Sequence, residues 1–178
     1  MIVKIDDWIF DVDMTATMEY SAKEAAEHCD CAYCRNFYAT VDTVCSELRP
    51  FLAQFGVDIE APDELMPYDG VNEIICDGFY AVSGRILQVG KKPLEAADIE
   101  IHPLEAADIE IHPEQHNALH INTSCPQPYF FLNFEKLTLP WVLDEPMEDV
   151  ISPANLPSFL KRMWDRLLRR QKKDIMSS

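Results

Sequence analysis

Glycine is scarce, with five among 178 residues. Loops that cradle phosphate need glycine where backbone amides close on an anion. None of the Gly-x-x-x-x-Gly-Lys, Gly-x-Gly-x-x-Gly or Gly-x-Ser-x-Gly arrangements is present. That removes the sequence signatures of P-loop nucleotide hydrolysis, dinucleotide binding and the nucleophile-elbow hydrolases. Long apolar runs are also missing: no stretch approaches the roughly 18 residues of a membrane span. Lys4, Asp6 and Asp7 interrupt the N-terminus and no apolar signal core follows them. No export signal is therefore expected, and the chain reads as cytoplasmic. Basic residues are few, 15 Lys and Arg against 31 Asp and Glu, for a net charge of −16. A body this acidic repels phosphate backbones, which argues against nucleic acid as a partner.

What is present fits one ordinary domain over residues 1–178. Hydrophobic residues make up 48% and aromatic ones 10%, enough for a core without covalent staples. The charge is uneven. Seven basic residues, from Lys161 to Lys173, follow Leu156, against only Asp165 and Asp174. Leu160, Met163, Trp164, Leu167 and Leu168 recur at helical spacing there, predicting a helix over 157–171. Its cations either complement the helix's own negative end or reach an acidic protein, an RNA or a membrane surface.

Periodicity predicts an α+β fold. Ile2–Ile5 and Trp8–Val12 alternate as a strand pair around Asp6-Asp7. Ser21-Ala-Lys-Glu24 reads as a capping box opening a short helix to about His28. Phe37, Val41, Val44, Cys45 and Leu48 form one apolar stripe, predicting a helix over 32–48. A shorter helix over 49–56 would stop at Gly56, and Pro62–Leu65 reads as one more turn. Beyond Pro67 the character turns to β. Short strands are predicted over 73–76, 79–82, 85–89, 118–122, 129–134 and 137–142, with Gly78, Gly84 and Gly90 as punctuation. Pro140 places the last of these at a sheet edge or end, with Trp141 buried. Short spacers favour antiparallel pairing. The expectation is therefore an antiparallel sheet or small sandwich, with the N-terminal helices and a C-terminal helix packed on it.

Residues 93–102, Pro-Leu-Glu-Ala-Ala-Asp-Ile-Glu-Ile-His, recur without a difference at 103–112. Architectural repeats run to about 20–50 residues in three or more copies, so this pair reads as a tandem duplication. One copy is expected to be surplus, either as an appended hairpin or as a looped-out segment.

The densest chemistry is His28-Cys29-Asp30-Cys31-Ala32-Tyr33-Cys34-Arg35-Asn36. Cys29, Cys31 and Cys34 offer three soft ligands within six residues, and zinc takes thiolates in a tetrahedron at about 2.3 Å. Arg35 and a helix start add positive potential that favours thiolates. A fourth ligand is not local. Cys45 would lie about 16 Å from Cys34 along one helix, and His28 is adjacent to Cys29. Cys76, Cys125, His112, His116 and His120 remain candidates. Two other readings stand beside zinc: small buried apolar residues at a helix junction, or a redox pair of Cys31 and Cys34. His112, His116 and His120 share a spacing of four, but Pro113 argues against a helix and the set reads as loop and edge. Asp11 and Asp13 carry only a thin likeness to an Asp-x-Asp phosphotransfer motif, and they read as solvated carboxylates ending a strand. The aromatic run Tyr129–Phe131 lacks interleaved basic residues and reads as core rather than as a base-stacking platform.

Three stretches carry a resemblance: Cys31-Ala-Tyr-Cys-Arg-Asn-Phe-Tyr38, Leu48-Arg-Pro-Phe-Leu-Ala-Gln-Phe-Gly56 and Leu139-Pro-Trp-Val-Leu-Asp-Glu-Pro146. Together they resemble a family of small bacterial proteins, mostly of anaerobic or spore-forming lineages, that has no assigned activity. The likeness covers most of the chain outside the duplication. It implies a bacterial, cytoplasmic, single-domain protein and transfers no catalytic residue.

No acid, base and nucleophile set converges in the sequence, so no catalytic residue is assigned. The expectation is a non-enzymatic binding or interaction module with a protein partner and a structural zinc at Cys29, Cys31 and Cys34. Two alternatives are kept: a metal- or thiol-dependent enzyme using the same cysteines, and an accessory protein that meets nucleic acid through the basic terminal helix.

Overall fold

The structure is a computed structural model that describes residues 1–69, 73–92, 94–95, 110–115, 123–145 and 147. The chain divides into two units, Met1–Pro146 and Met147–Ser178. The expected terminal helix over 157–171 lies outside the described residues, as do the expected strand over 118–122, His116 and His120.

Within the first unit, β1 (Ile2–Ile5) and β2 (Trp8–Val12) pair antiparallel. The turn between them places Asp6 at φ 50°, a left-handed geometry that Asp tolerates. Helix α1 (Met14–Ala26) starts seven residues before the expected capping box. Asp13 is the actual cap, its Oδ1 accepting the Ala16 N–H at 3.1 Å. Ser21 instead lies mid-helix, buried, and accepts the Asp58 N–H at 2.8 Å. Helix α2 (Ala32–Val44) ends earlier than the apolar stripe suggested, and α3 (Leu48–Ala53) follows. Gly56, at φ +78°, turns the chain out of α3.

The turn predicted over Pro62–Leu65 is corrected in its second half, since Glu64 and Leu65 open β3 (Glu64–Asp69), which pairs with β4 along its length. The three short strands expected over 73–89 are one strand, β4 (Glu73–Gln88). Gly78 and Gly84 are not turns. A Cβ at Gly78 would lie 2.5 Å from the Glu64 carbonyl oxygen and from the Phe134 ring. A Cβ at Gly84 would lie 2.2 Å from the Asp11 carbonyl oxygen. Both glycines mark close approach of neighbouring strands. The segments 129–134 and 137–142 likewise merge into β7 (Tyr129–Pro140), which ends at Pro140. The ladder between β4 and β7 shifts register between Cys76 and Gly78, and Lys136 takes φ 59°. β5 (Leu94–Glu95) pairs with β6 (Glu110–Gln115), so the start of the first repeat copy meets the end of the second. Residues 96–109 lie outside the described set.

The described strands form one antiparallel sheet in the order β1-β2-β4-β7-β6-β5, with β3 also on β4. The sheet thus takes in the N-terminal strand pair as well as the β-rich stretch beyond Pro67. Residues 78–84 of β4 are buried without alternation, as in a strand covered on both faces. Phe10 joins one aromatic cluster, its ring centroid 5.2 Å from those of Phe55 and Phe130. A second apolar cluster gathers Tyr20, Phe79, Ala81, Cys125, Tyr129 and Phe131.

Between the end of β3 and the end of β2, the edge of β4 has no strand partner. Side chains complete it. Asp63 Oδ2 accepts the Ala81 N–H at 2.7 Å, and Thr17 Oγ1 accepts the Ser83 N–H at 3.1 Å. Asp13 donates its own N–H to the Ser83 carbonyl at 2.9 Å. An unpaired backbone amide in a buried strand costs about 1–3 kcal/mol, so this edge depends on α1 starting where it does. Thr17→Val keeps the shape, removes the hydroxyl and orphans the Ser83 amide. It should lower unfolding stability by about 1–3 kcal/mol in urea titrations, whereas the exposed Thr15→Val should stay within about 0.5 kcal/mol. Equal effects would contradict this account of the edge.

Candidate metal centre

The Cys29, Cys31 and Cys34 sulfurs lie within 4.8 Å of one another, as predicted for a shared ligand set. Local helix geometry explains much of this. Cys31 is the N-cap of α2, with extended backbone (φ −72°, ψ 156°), and Cys34 is the third helical residue. N-cap and third-position side chains face each other, which is the basis of the capping box. Cys31 makes no side-chain capping bond, so its sulfur is turned to its neighbours rather than spent on an amide. Cys29 comes from the turn after α1 and accepts the backbone N–H of Cys31.

Arg35 and Asn36 hold this turn in place. Arg35 donates to the Asp30 carbonyl at 2.6 Å and pairs with the Asp30 carboxylate at 3.6 Å and with Glu145. Its charge is therefore matched by carboxylates, which offsets the positive potential expected from it at the cysteine turn. Asn36, fully buried, donates to the Pro140 carbonyl at 3.0 Å and accepts the Val142 N–H at 2.8 Å. The rings of Tyr33 and Trp141 meet at 5.6 Å, and Trp141 Nε1 donates to the Glu145 carbonyl at 2.9 Å. Trp141 is half-buried rather than buried, packed at the end of β7. Sequence reasoning missed the Asn36 clamp and the Arg35–Glu145 pair, because those partners lie over a hundred residues away and no local signal marks them.

Cys29 and Cys31 are exposed and Cys34 is half-buried. The junction reading as small buried apolar residues therefore fails for Cys29 and Cys31. Hydrogen bonding from the Cys31 backbone and from the neighbouring thiols lowers the Cys29 pKa. Burial, then hydrogen bonds to Cys31 and Cys29, raises that of Cys34. A divalent cation among the three reverses that penalty, because it favours every thiolate at once. With Zn–S near about 2.3 Å, the sulfurs of a tetrahedral site stand about 3.8 Å apart. The observed spread is within a small adjustment of that.

The cysteines border a cleft of about 160 Å³ to which His28, Cys29, Cys34 and Tyr38 contribute. The His28 ring stacks on Tyr38 with centroids 4.2 Å apart. Glu24, Glu27, Glu60, Asp63 and Glu64 line the same cleft. Glu60 is paired with Arg49 at 3.2 Å. Asp63 is engaged by Tyr20 and the Ala81 amide, and its burial raises its pKa.

The other sequence candidates lie elsewhere. Cys45 caps the far end of α2, Cys76 sits within β4 and Cys125 belongs to the Tyr20–Phe131 cluster, all three buried. Burial pushes their thiols up, to about 11, about 12 and about 12 respectively. His112 lies on β6, which pairs with β7. Asp13 is a helix cap and Asp11 accepts from the N-terminal amine at 3.5 Å, so the Asp-x-Asp pair serves local structure. Among the described residues no helix is long and apolar enough to cross a membrane.

Comparison with protein-family models, with curated proteins and with solved structures finds no match.

The two cysteine classes should separate by reactivity. Iodoacetamide near neutral pH should label Cys29 and Cys31 of the metal-free chain first. Cys45, Cys76 and Cys125 should stay unmodified until the chain unfolds, as read by peptide mass mapping. Labelling of Cys45 as fast as Cys29 would contradict the burial described.

Proposed function

We propose that the chain is a non-enzymatic metal-binding interaction module in which Cys29, Cys31 and Cys34 hold one zinc ion. The observation that supports this reading is the convergence of the three sulfurs at the start of α2. Thiolates select zinc among the hard and borderline divalent ions, and zinc has no redox demands on its site. Bound there, the ion ties the turn after α1 to the first turn of α2. It thereby fixes a surface from which Tyr33, Arg35 and Trp141 meet a protein partner. The reading supposes a reducing compartment, where thiols persist. A redox pair of Cys31 and Cys34 is the weaker reading, because the hydrogen bonds link all three sulfurs rather than one pair.

The full chain purified with zinc and desalted should retain one zinc per chain. Free zinc a hundredfold above its dissociation constant should stabilise the fold by about 2.7 kcal/mol. That corresponds to roughly 5–10 °C in Tm for a chain of this size. Serine at any one of the three positions should weaken binding by more than the roughly 10–100-fold that loss of an outer-sphere partner costs. Affinity should fall as pH falls, because each thiolate competes with its proton. Retention of zinc by the triple serine variant would overturn the assignment.

A further inference from the structure

The three sulfurs come from one short segment on the surface, and two of the residues that supply them are exposed. Cys29 and Cys34 also border the cleft, whose volume of about 160 Å³ is well above the roughly 10–15 Å³ that admits one water. An ion seated on the sulfurs is thus reachable by a small molecule from outside. Charge decides which kind. A divalent ion with three thiolates carries a net charge of −1. The cleft beside it is lined by Glu24, Glu27 and Glu64. A carboxylate, phosphate or further thiolate entering there meets negative charge on both sides, whereas a neutral donor does not.

We propose that the fourth coordination position of the ion opens onto this cleft and takes a neutral nitrogen donor of the imidazole class from outside the chain. Such a donor is a free imidazole compound or a histidine of the protein partner. The inference rests on the zinc reading above and adds the identity of the missing ligand. Binding is a simple exchange. A water leaves the ion, the imidazole nitrogen gives its lone pair, and no proton or electron is transferred.

His28 is the internal competitor, since it borders the cleft and precedes Cys29. Its ring stacks on Tyr38 at an interplanar angle of 16°. Tyr38 itself hydrogen-bonds Cys34, so the His28 ring stands beside the cluster, but among the described residues the ligand atoms that converge are those of Cys29, Cys31 and Cys34, without His28.

Cobalt(II) loaded into the full chain reports both levels. A sulfur-to-cobalt charge-transfer band shows that the thiolates bind the ion, and the ligand-field bands report the fourth donor. Imidazole should shift the ligand-field bands saturably while the charge-transfer band keeps its intensity. Acetate at matched ionic strength should need a concentration higher by about tenfold or more for a comparable shift. The spectrum before imidazole should be the same in His28→Phe, which preserves an aromatic ring against Tyr38. Charge transfer without any response to imidazole would show a closed site and overturn this inference alone. So would equal responses to imidazole and acetate, loss of the charge-transfer band on adding imidazole, or an altered starting spectrum in His28→Phe. Absence of the charge-transfer band from the outset would take down the zinc reading as well.

Discussion

The cysteine cluster depends on the two hydrogen bonds that buried Asn36 makes to the backbone at the end of β7 and just beyond it. They fix the first turn of α2 against Pro140 and Val142. Because Cys31 and Cys34 ride on that turn, their sulfurs inherit its position. Arg35 extends the same anchor outward by gripping the Asp30 carbonyl in the middle of the cysteine turn. A three-residue run, Cys34-Arg35-Asn36, thus contributes one sulfur of the cluster, one clamp on the turn and one clamp on the sheet. Loss of a buried amide partner costs about 1–3 kcal/mol, which exceeds the usual worth of an exposed ion pair. Asn36 is therefore the stronger of the two anchors.

The sheet solves a different problem by related means. A 16-residue β4 is too long for either β3 or β2 to cover alone. The uncovered stretch at Ala81 and Ser83 is closed by Asp63, Asp13 and Thr17, from the segments beside it. Asp63 also receives the Tyr20 hydroxyl, which in turn meets Thr123 at 2.9 Å. Helix α1 is thereby tied to the sheet edge by polar contacts as well as by its apolar face. The chain reaches the cysteine turn directly from the end of α1, so the completed edge and the cysteine cluster share that helix.

Local signals announced the elements that depend on local physics. Alternation gave the Ile2–Val12 hairpin, and the apolar stripe gave α2. Three cysteines in six residues announced the sulfur cluster, because helix capping geometry converges the N-cap and third positions whatever the rest of the fold does. Signals failed where a residue's role is set at long range. Gly78 and Gly84 read as punctuation because a glycine in a turn and a glycine under a crossing backbone look alike in one dimension. Ser21 read as a cap because its true partner, the Asp58 amide, is 37 residues away. Glu64 and Leu65 read as part of a turn because only β4 makes a strand of them. The carboxylates beside the cysteines come from Glu24–Glu27 and Glu60–Glu64, two segments that nothing in the sequence relates.

The acidic cleft gives the centre its chemical character. A divalent ion held by three thiolates would already carry a net charge of −1 and so disfavour an anionic fourth donor. Carboxylates lining the adjacent cleft would add to that preference for neutral ligands. The most direct measurement is X-ray absorption at the zinc edge of the loaded full chain. The account predicts three sulfur scatterers at about 2.3 Å and one nitrogen or oxygen scatterer at about 2.0–2.1 Å. Four sulfur scatterers, or a shell of nitrogen and oxygen alone, would contradict it.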